Sequence, residues 1–320
     1  MKSFLRYALA ALGLCFLSAG SANATTCSGG TPANTCYWIG GTGTWDNSST
    51  THWSFTTGGT TCSCLPSATA DKAVFDGSSG GGTVTVDSTI NGLTFNSVTM
   101  GAFTGTLDFS ANNPSLTLNT LSCTGTGTRT LNLGSGTFTL NGAQLNNFDC
   151  GTTTNLTLSA ASVTLQWNGT GGAYRQLNLP GTAGTVSKIG TITVAADGVG
   201  NGVGADCATL NLSAATTLDH LNITAPACVT FSIGGILTLT NAPTWTGTAS
   251  NPIYLISVNQ GSLATISFGG APTISWASFI SIKATTSTGW VAANSFGQGI
   301  TGFTVSGPSG GGGGGHIIGG

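Results

Sequence analysis

A short strand phrase that recurs along the chain restricts its fold more than any other feature. Each copy alternates apolar with small polar residues, which is the period-two pattern of a β-strand with one buried face. Gly, Ser and Asn separate the copies, and no sustained spacing of three and four indicates a helix. The copies lie at residues 83–86, 107–109, 116–118, 131–133, 138–140, 156–158, 177–179 and 237–239. Repetition at this scale predicts a stacked architecture.

The length of the repeat is that of one coil of a β-solenoid. Cys123 and Cys150 are 27 positions apart, and so are the Asn-Gly pairs at 141–142 and 168–169. With two or three short strands per period, each coil stacks on the next and its inward side chains form apolar ladders. A β-sandwich has strands at similar intervals but gives no reason for residues one period apart to be alike. The sequence therefore predicts an all-β chain with a β-solenoid over residues 83–305.

Both ends of the chain differ from the repeat. Residues 1–24 have the basic start, the short apolar stretch and the Ala-Asn-Ala site of a secretory signal peptide. Residues 25–82 are rich in Trp and Cys and predict an N-terminal cap, whereas residues 306–320 predict a disordered Gly-rich tail. We expect an exported protein without a transmembrane segment, at the cell surface or outside the cell, with the periplasm as the alternative. The large aromatic residues near the C-terminal end of the repeat are expected to pack in its core or cap: Trp276, Phe279, Trp290, Phe296 and Phe303.

Charged residues are scarce, at 5% of the chain, against about 25% in ordinary globular proteins. All nine acidic residues are Asp. Removal of residues 1–24 leaves five scattered basic residues, which cannot build a surface that follows a phosphate backbone. Nucleic acid is therefore not an expected partner.

Eight cysteines follow residue 24, and an even number in an exported chain predicts disulfides. Spacings of 27 and 21 residues predict bridges between adjacent coils, Cys123–Cys150 and Cys207–Cys228. The other four are expected to form two more bridges in the cap, with their connectivity open: Cys27, Cys36, Cys62 and Cys64. A zinc site built from those four is the competing interpretation.

The segment between Trp38 and Phe75 resembles the opening of many bacterial secreted β-helix proteins, including autotransporter-type passengers and adhesins. The shared phrase is W-x-G-G-x-G-x-W, followed by W-S, G-G, P and D-x-A-V-F. Residues 274–305 are similar to the closing coil of related surface and phage-tail β-helix proteins. The resemblance implies a right-handed parallel β-helix with an extracellular structural or adhesive role.

Two kinds of site could act on or bind carbohydrate. A glycosidase needs two carboxylates about 5–10 Å apart, and Asp108 and Asp149 are the most central candidates. Trp45, Trp53 and Trp167 are candidates for ligand binding, because an exposed indole can stack on a sugar ring.

Two further kinds of site are weaker. The Gly-rich stretch 197–206 offers Asp197, Asn201 and Asp206 as oxygen ligands for Ca²⁺. A flat ladder of Thr side chains orders water in ice-binding proteins, but the Thr-x-Thr phrases do not hold one register in the sequence, so such a ladder is not expected.

The sequence thus favours a secreted or cell-surface structural or adhesive β-helix protein with a glycan or another cell-surface component as its partner. No catalysis and no cofactor are expected, and the oligomeric state is open. Two alternatives remain: a carbohydrate-active β-helix enzyme (a polysaccharide hydrolase or lyase), and a subunit of a filament or a virion-like assembly.

Overall fold

The computed structural model describes residues 25–142, 147–168, 175–195, 207–286 and 289–308. In this part of the chain the fold is all-β, apart from two short 3-10 helices at Cys27–Gly29 and Ser88–Ile90. Of the strand pairs, only β1 (Thr35–Trp38) with β3 (Trp53–Ser54) is antiparallel; the others described are parallel. The all-β prediction is confirmed, and the long parallel sheet has the arrangement of a solenoid-like β-helix.

The strands follow one another in chain order: β1 Thr35–Trp38, β2 Gly43–Trp45, β3 Trp53–Ser54, β4 Lys72–Phe75, β5 Thr83–Val86, β6 Thr94–Met100, β7 Thr106–Asp108, β8 Leu116–Ser122, β9 Arg129–Asn132, β10 Thr137–Leu140, β11 Phe148–Asp149, β12 Leu156–Trp167, β13 Gln176–Leu179, β14 Val186–Val194, β15 Ala208–Leu212, β16 Thr216–Ile223, β17 Ala227–Phe231, β18 Ile236–Leu239, β19 Thr244–Thr246, β20 Ile253–Ser257, β21 Ala264–Phe268, β22 Thr273–Ser275, β23 Ala277–Ile280, β24 Ile282–Thr285, β25 Val291–Ala292, β26 Phe296–Gln298 and β27 Thr304–Val305.

Parallel pairing sorts the strands into three faces. Face A consists of β1, β4, β6, β8, β11, β13, β15, β17, β20, β23 and β26. Face B consists of β2, β5, β7, β9, β12, β14, β16, β18, β21 and β24. Face C contains β10, β19, β22, β25 and β27 together with the remaining halves of β6, β8, β12, β14 and β16. Those five strands bend and contribute to two faces each.

Residues of like character stack on one another from coil to coil, and this produces the core. On face C, Leu118 pairs with Leu140, which pairs with Trp167, which pairs with Val194. All four side chains are buried in one apolar cluster that extends from the first coils to Phe303. Each such side chain contributes about 1.5–3 kcal/mol by leaving water, so the ladder explains why the strand phrase recurs.

Coil pairing starts within the segment predicted to be the cap. Strand β1 pairs in parallel with β4, and β2 with β5. At this end Trp53 meets Trp38 edge-on with ring centroids 5.2 Å apart, and it meets Trp45 edge-on at 5.4 Å. Phe75 lies within 6 Å of all three rings. The aromatic residues of this end therefore fill the core.

The four disulfides include both bridges that the spacing predicts between coils, Cys123–Cys150 and Cys207–Cys228. The other two are Cys27–Cys36 and Cys62–Cys64. The two inter-coil bridges lie on opposite sides of the sheet. The first belongs to the main core, whereas the second packs on the outer side of face A against Ile256 and Tyr254.

Candidate functional site

The two candidate carboxylates of a glycosidase lie on different faces. Asp108 is on β7 of face B, where its carboxylate accepts hydrogen bonds from the amide (2.8 Å) and hydroxyl (2.6 Å) of Ser110. Asp149 is on β11 of face A and accepts a hydrogen bond from the side-chain amide of Asn178 at 3.1 Å. Because the two carboxylates lie on different faces, they do not form the pair that a glycosidase would need.

The three tryptophans proposed to stack on sugars are buried. Trp45 and Trp53 are 0% exposed and Trp167 is 1% exposed. Each occupies an inward position; Trp167, for example, continues the core ladder on face C, and its indole N–H donates to the side-chain oxygen of Asn147 at 3.2 Å. Their rings offer no free face to a ligand, which corrects the expectation that they are exposed.

The structure bears on the predicted zinc site but not on the predicted calcium site. Asp197, Asn201 and Asp206 lie outside the described residues. The four cap cysteines are paired in two disulfides, which removes the thiolates that a zinc site requires. Within the described ranges no group of three or more His, Cys, Asp or Glu side chains is placed to hold a metal ion.

As the sequence predicts, the Thr-x-Thr phrases do not hold one register along face C, although a single row of Thr residues does. Thr137 pairs with Thr164, which pairs with Thr191. Both pairs are 27 positions apart, the same interval as that between Cys123 and Cys150. The neighbouring position is interrupted by Gln166, and the next coil places His220 beside Thr191, so the Thr array is short.

The structure reveals a different site, a groove of about 450 Å³ on the outer side of face A near its C-terminal end. Three aromatic side chains dominate it: Tyr254 on β20, Phe296 on β26 and Trp276 at the corner between β22 and β23. The remaining lining residues are Ala249, Pro252, Ala277, Ser278, Asn294 and Pro308.

Strand alternation places the aromatic residues on the outside. In β20 the neighbours of Tyr254, Ile253 and Leu255, point into the core, so Tyr254 points outward. Tyr254 pairs with Ser278 on the next coil, and Ser278 pairs with Phe296 on the coil after that. Phe296 is 62% exposed, which is unusual for a side chain of its apolar area.

Trp276 has a backbone conformation that its side chain does not favour. Its φ is +52°, in the left-handed region where a bulky residue is an outlier and a strain of about 1–3 kcal/mol is typical. One coil further on, the same corner position is occupied by Asn294 with φ +51°, and Asn tolerates this conformation well. Because Asn would suit this backbone conformation better than Trp, we attribute the presence of Trp276 to the contribution of its indole ring to the groove.

The groove is uncharged and carries a few polar groups. Among the described residues that line it, none is Asp, Glu, Lys, Arg or His. The phenol of Tyr254, the hydroxyl of Ser278 and the amide of Asn294 make no side-chain hydrogen bond to other described residues. Apolar walls with a few unused polar groups suit ligand binding.

Sequence reasoning assigned the C-terminal aromatic residues to core packing. That is correct for Phe279, Trp290 and Phe303, which are buried, but wrong for Trp276, which is half-buried, and for Phe296. Tyr254 was missed, although the alternation Ile-Tyr-Leu signals an outward aromatic residue.

No helix in the described ranges has the length and apolar character to span a bilayer. No family model, no curated protein and no solved structure matches the chain.

Proposed function

We propose that the protein is an exported right-handed β-helix with an N-terminal cap, and that it serves as an extracellular or cell-surface structural and adhesive protein that binds a glycan. The observation that carries the proposal is the convergence of Tyr254, Trp276 and Phe296 on one uncharged groove outside the core. The chain's resemblance to secreted β-helix adhesins supports the same role.

The chemistry of the groove suits a sugar ring. A pyranose has a face of C–H groups, which packs on an aromatic ring, and an edge of hydroxyl groups, which needs hydrogen-bond partners. Trp276 and Phe296 offer apolar ring surface, while Ser278 and Asn294 offer a hydroxyl and an amide beside it. The strands beneath are anchored in the core, so the groove is preformed and binding costs little ordering entropy.

The placement of the titratable groups supports a role without catalysis. The candidate acids Asp108 and Asp149 lie on separate faces, and neither lines the groove. The groove therefore supports retention of a glycan better than its cleavage.

A binding screen with one designed variant tests the proposal. The chain from Thr25 onward is measured on a broad panel of polysaccharides, with product release followed in parallel, and is compared with Trp276→Asn. This variant removes the indole but keeps a residue that adopts the same conformation at Asn294. We expect the parent to bind at least one glycan without turnover, and the variant to lose at least about tenfold in affinity, or about 1.4 kcal/mol.

Val258→Ser is the matched control, because it removes an exposed apolar side chain that directly follows the C-terminal end of strand β20. It is expected to bind like the parent. A parent chain that binds no glycan, or a Trp276→Asn variant that binds as well as the parent, would refute the proposal. Turnover of a bound glycan would favour the enzyme alternative.

A further inference from the structure

We infer that the groove selects an uncharged polysaccharide chain that lies along the axis of the coil stack, with one sugar ring on Tyr254 and a second on Phe296. This inference rests on the glycan-binding function proposed above and adds the orientation, the minimum length and the charge of the ligand.

The spacing of the two aromatic residues gives the orientation. Tyr254, Ser278 and Phe296 occupy the same outward position on three successive coils. Neighbouring strands are about 4.8 Å apart, so the backbones of Tyr254 and Phe296 are separated by two spacings, or about 9.6 Å. Two linked pyranose rings have about this length. Consecutive ring centres are only about half that distance apart, so a glycan that runs along the axis can place one ring on Tyr254 and the next ring but one on Phe296, with the ring between them at Ser278.

The residue between the two rings is small. Ser278 leaves a depression between Tyr254 and Phe296, and its hydroxyl is among the polar groups of the lining at the position of the middle ring. Trp276 and Asn294 form the wall on one side, at the corner of the coil. On the other side, the next outward position on the same strands carries Ile256 and Ile280. A chain laid across the strands would meet Ile280 rather than a second aromatic ring, because Ile256 is only 4% exposed.

The surroundings of the groove favour a ligand without charge. An acidic sugar loses hydration when it is placed against aromatic side chains, and only a cationic or strong hydrogen-bond partner can offset that cost. The lining residues that the structure describes include no cation, and the neighbouring outward positions on this face, Thr230 and Gln298, are uncharged as well. The chain is also acidic overall, with a sequence pI of about 5.8, so a polyanion is repelled at neutral pH.

Titration calorimetry with two oligosaccharide series tests the inference. The probes are neutral β-linked gluco-oligosaccharides and oligogalacturonates, each of one to six rings, measured on the chain from Thr25 onward. For the neutral series we expect affinity to rise at least about tenfold between one ring and three rings and then to level off. The acidic series is expected to bind at least about tenfold more weakly at equal length, in low and in high salt.

Two variants examine the individual positions. Phe296→Ser removes a side chain that is mostly exposed, so the fold is retained, and it is expected to abolish the gain from one ring to three. Ser278→Leu fills the depression and is expected to weaken every oligosaccharide longer than one ring. Both variants are checked for an unchanged unfolding transition.

The possible failures are distinguishable. If neutral glycans bind in a manner that depends on Trp276 but show no gain with length, or if oligogalacturonates bind equally well, this inference falls and the proposed function stands. If neither the panel nor either series binds, both fall. Pro308 lies at the rim of the groove, and residues 309–320 follow it in the chain. The double variant Ile317→Ser/Ile318→Ser tests whether this tail occupies the groove. If the double variant binds sugar and the parent does not, the tail is the occupant and this inference is overturned.

Discussion

Aromatic residues have different roles at the two ends of the coil stack. At the N-terminal end, Trp38, Trp45 and Trp53 are fully buried and meet edge-on. At the C-terminal end the aromatic residues divide into two sets. One set fills the core, as where Trp290 stacks on Phe303 with ring centroids 4.3 Å apart, and the other lies outside on face A. The comparison shows that abundance of aromatic residues alone does not mark a binding surface; what matters is which side of the strand they occupy.

The largest effect that separates the two ends is expected from Trp45→Ala. Trp45 lies within 6.4 Å of the rings of Trp53, Phe75, Phe95 and Phe109, so its removal leaves a large cavity. Loss of about 3–5 kcal/mol in the free energy of unfolding is expected, measured by urea titration with far-ultraviolet circular dichroism. Under native conditions glycan binding should be unchanged.

Trp276→Asn is the opposite case: its free energy of unfolding should equal or exceed that of the parent, because the strained conformation is relieved. Two results would contradict this contrast between the two ends. One is a Trp45→Ala variant that is as stable as the parent but does not bind glycan, and the other is a Trp276→Asn variant that is less stable than Trp45→Ala.

The two inter-coil disulfides give the next largest effect and a sharper comparison. Replacing both cysteines of either bridge by Ala should cost about 3 kcal/mol on the chain-entropy estimate. Cys123–Cys150 is inside the core, whereas Cys207–Cys228 supports Tyr254 from outside. Only loss of the second bridge should therefore weaken glycan binding, as measured by calorimetry in the folded range. Equal binding by both double variants would contradict the role assigned to the bridge under Tyr254.

Much of the fold was predictable, because one period-two pattern repeats and register is inherited from coil to coil. The strand phrases near residues 116, 138 and 156, and the cysteine spacings of 27 and 21, fix which segments become neighbours. Buried polar residues were less predictable. Arg129 is buried and donates to the carbonyl oxygens of Cys123, Gly127, Thr152 and Thr154, and burial lowers the pKa of its guanidinium. Such bonds go to backbone atoms, which carry no sequence signature.

The candidate site was less predictable still. Its three aromatic residues come from three successive coils, and one of them, Trp276, lies at a corner. Whether such residues meet on one surface depends on the number of residues in each turn between the strands. Alternation alone shows that Tyr254 is outward. It does not show that Phe296 occupies the same outward position, because the intervening turns differ in length.

Asp71→Asn tests which hydrogen bonds stabilise the N-terminal end, and the expected loss in the free energy of unfolding is intermediate. The buried carboxylate of Asp71 accepts hydrogen bonds from the backbone amides of Cys27 (3.2 Å), Ser67 (2.9 Å) and Ala68 (2.9 Å). The carboxamide keeps one acceptor oxygen, so a loss of about 1.5–3 kcal/mol is expected in urea unfolding. Asp149→Asn, whose carboxylate accepts a hydrogen bond from the partly buried side-chain amide of Asn178, is the matched control and should change stability by less than about 0.5 kcal/mol. Similar losses in the two variants would argue against a special role for Asp71.

The smallest effect is expected in the middle coils, away from both aromatic ends. The Lys188 ammonium lies 2.6 Å from the carboxylate of Asp219, and with the Thr240 hydroxyl it lowers the pKa of Asp219 below its ordinary value of 3.8. A carboxylate with a depressed pKa stabilises the folded state above its unfolded pKa, and that stabilisation is lost as pH falls through the folded pKa. Because both side chains are partly exposed, Asp219→Asn should cost less than about 1 kcal/mol at pH 7.

The pH dependence distinguishes this ion pair from a packing effect. The difference between Asp219→Asn and the parent, measured by urea unfolding, should shrink as pH falls below about pH 4 and disappear once pH is below the folded pKa, where the parent carboxylate is protonated as well. Lys188→Met should show the same pH dependence, and combining the two changes should add little, since one pair is being removed. Glycan binding should be unaffected, because neither residue lines the groove. A penalty that grows as pH falls would mean that Asp219 acts through its packing, and a loss of glycan binding would mean that the middle coils and the C-terminal groove are not independent.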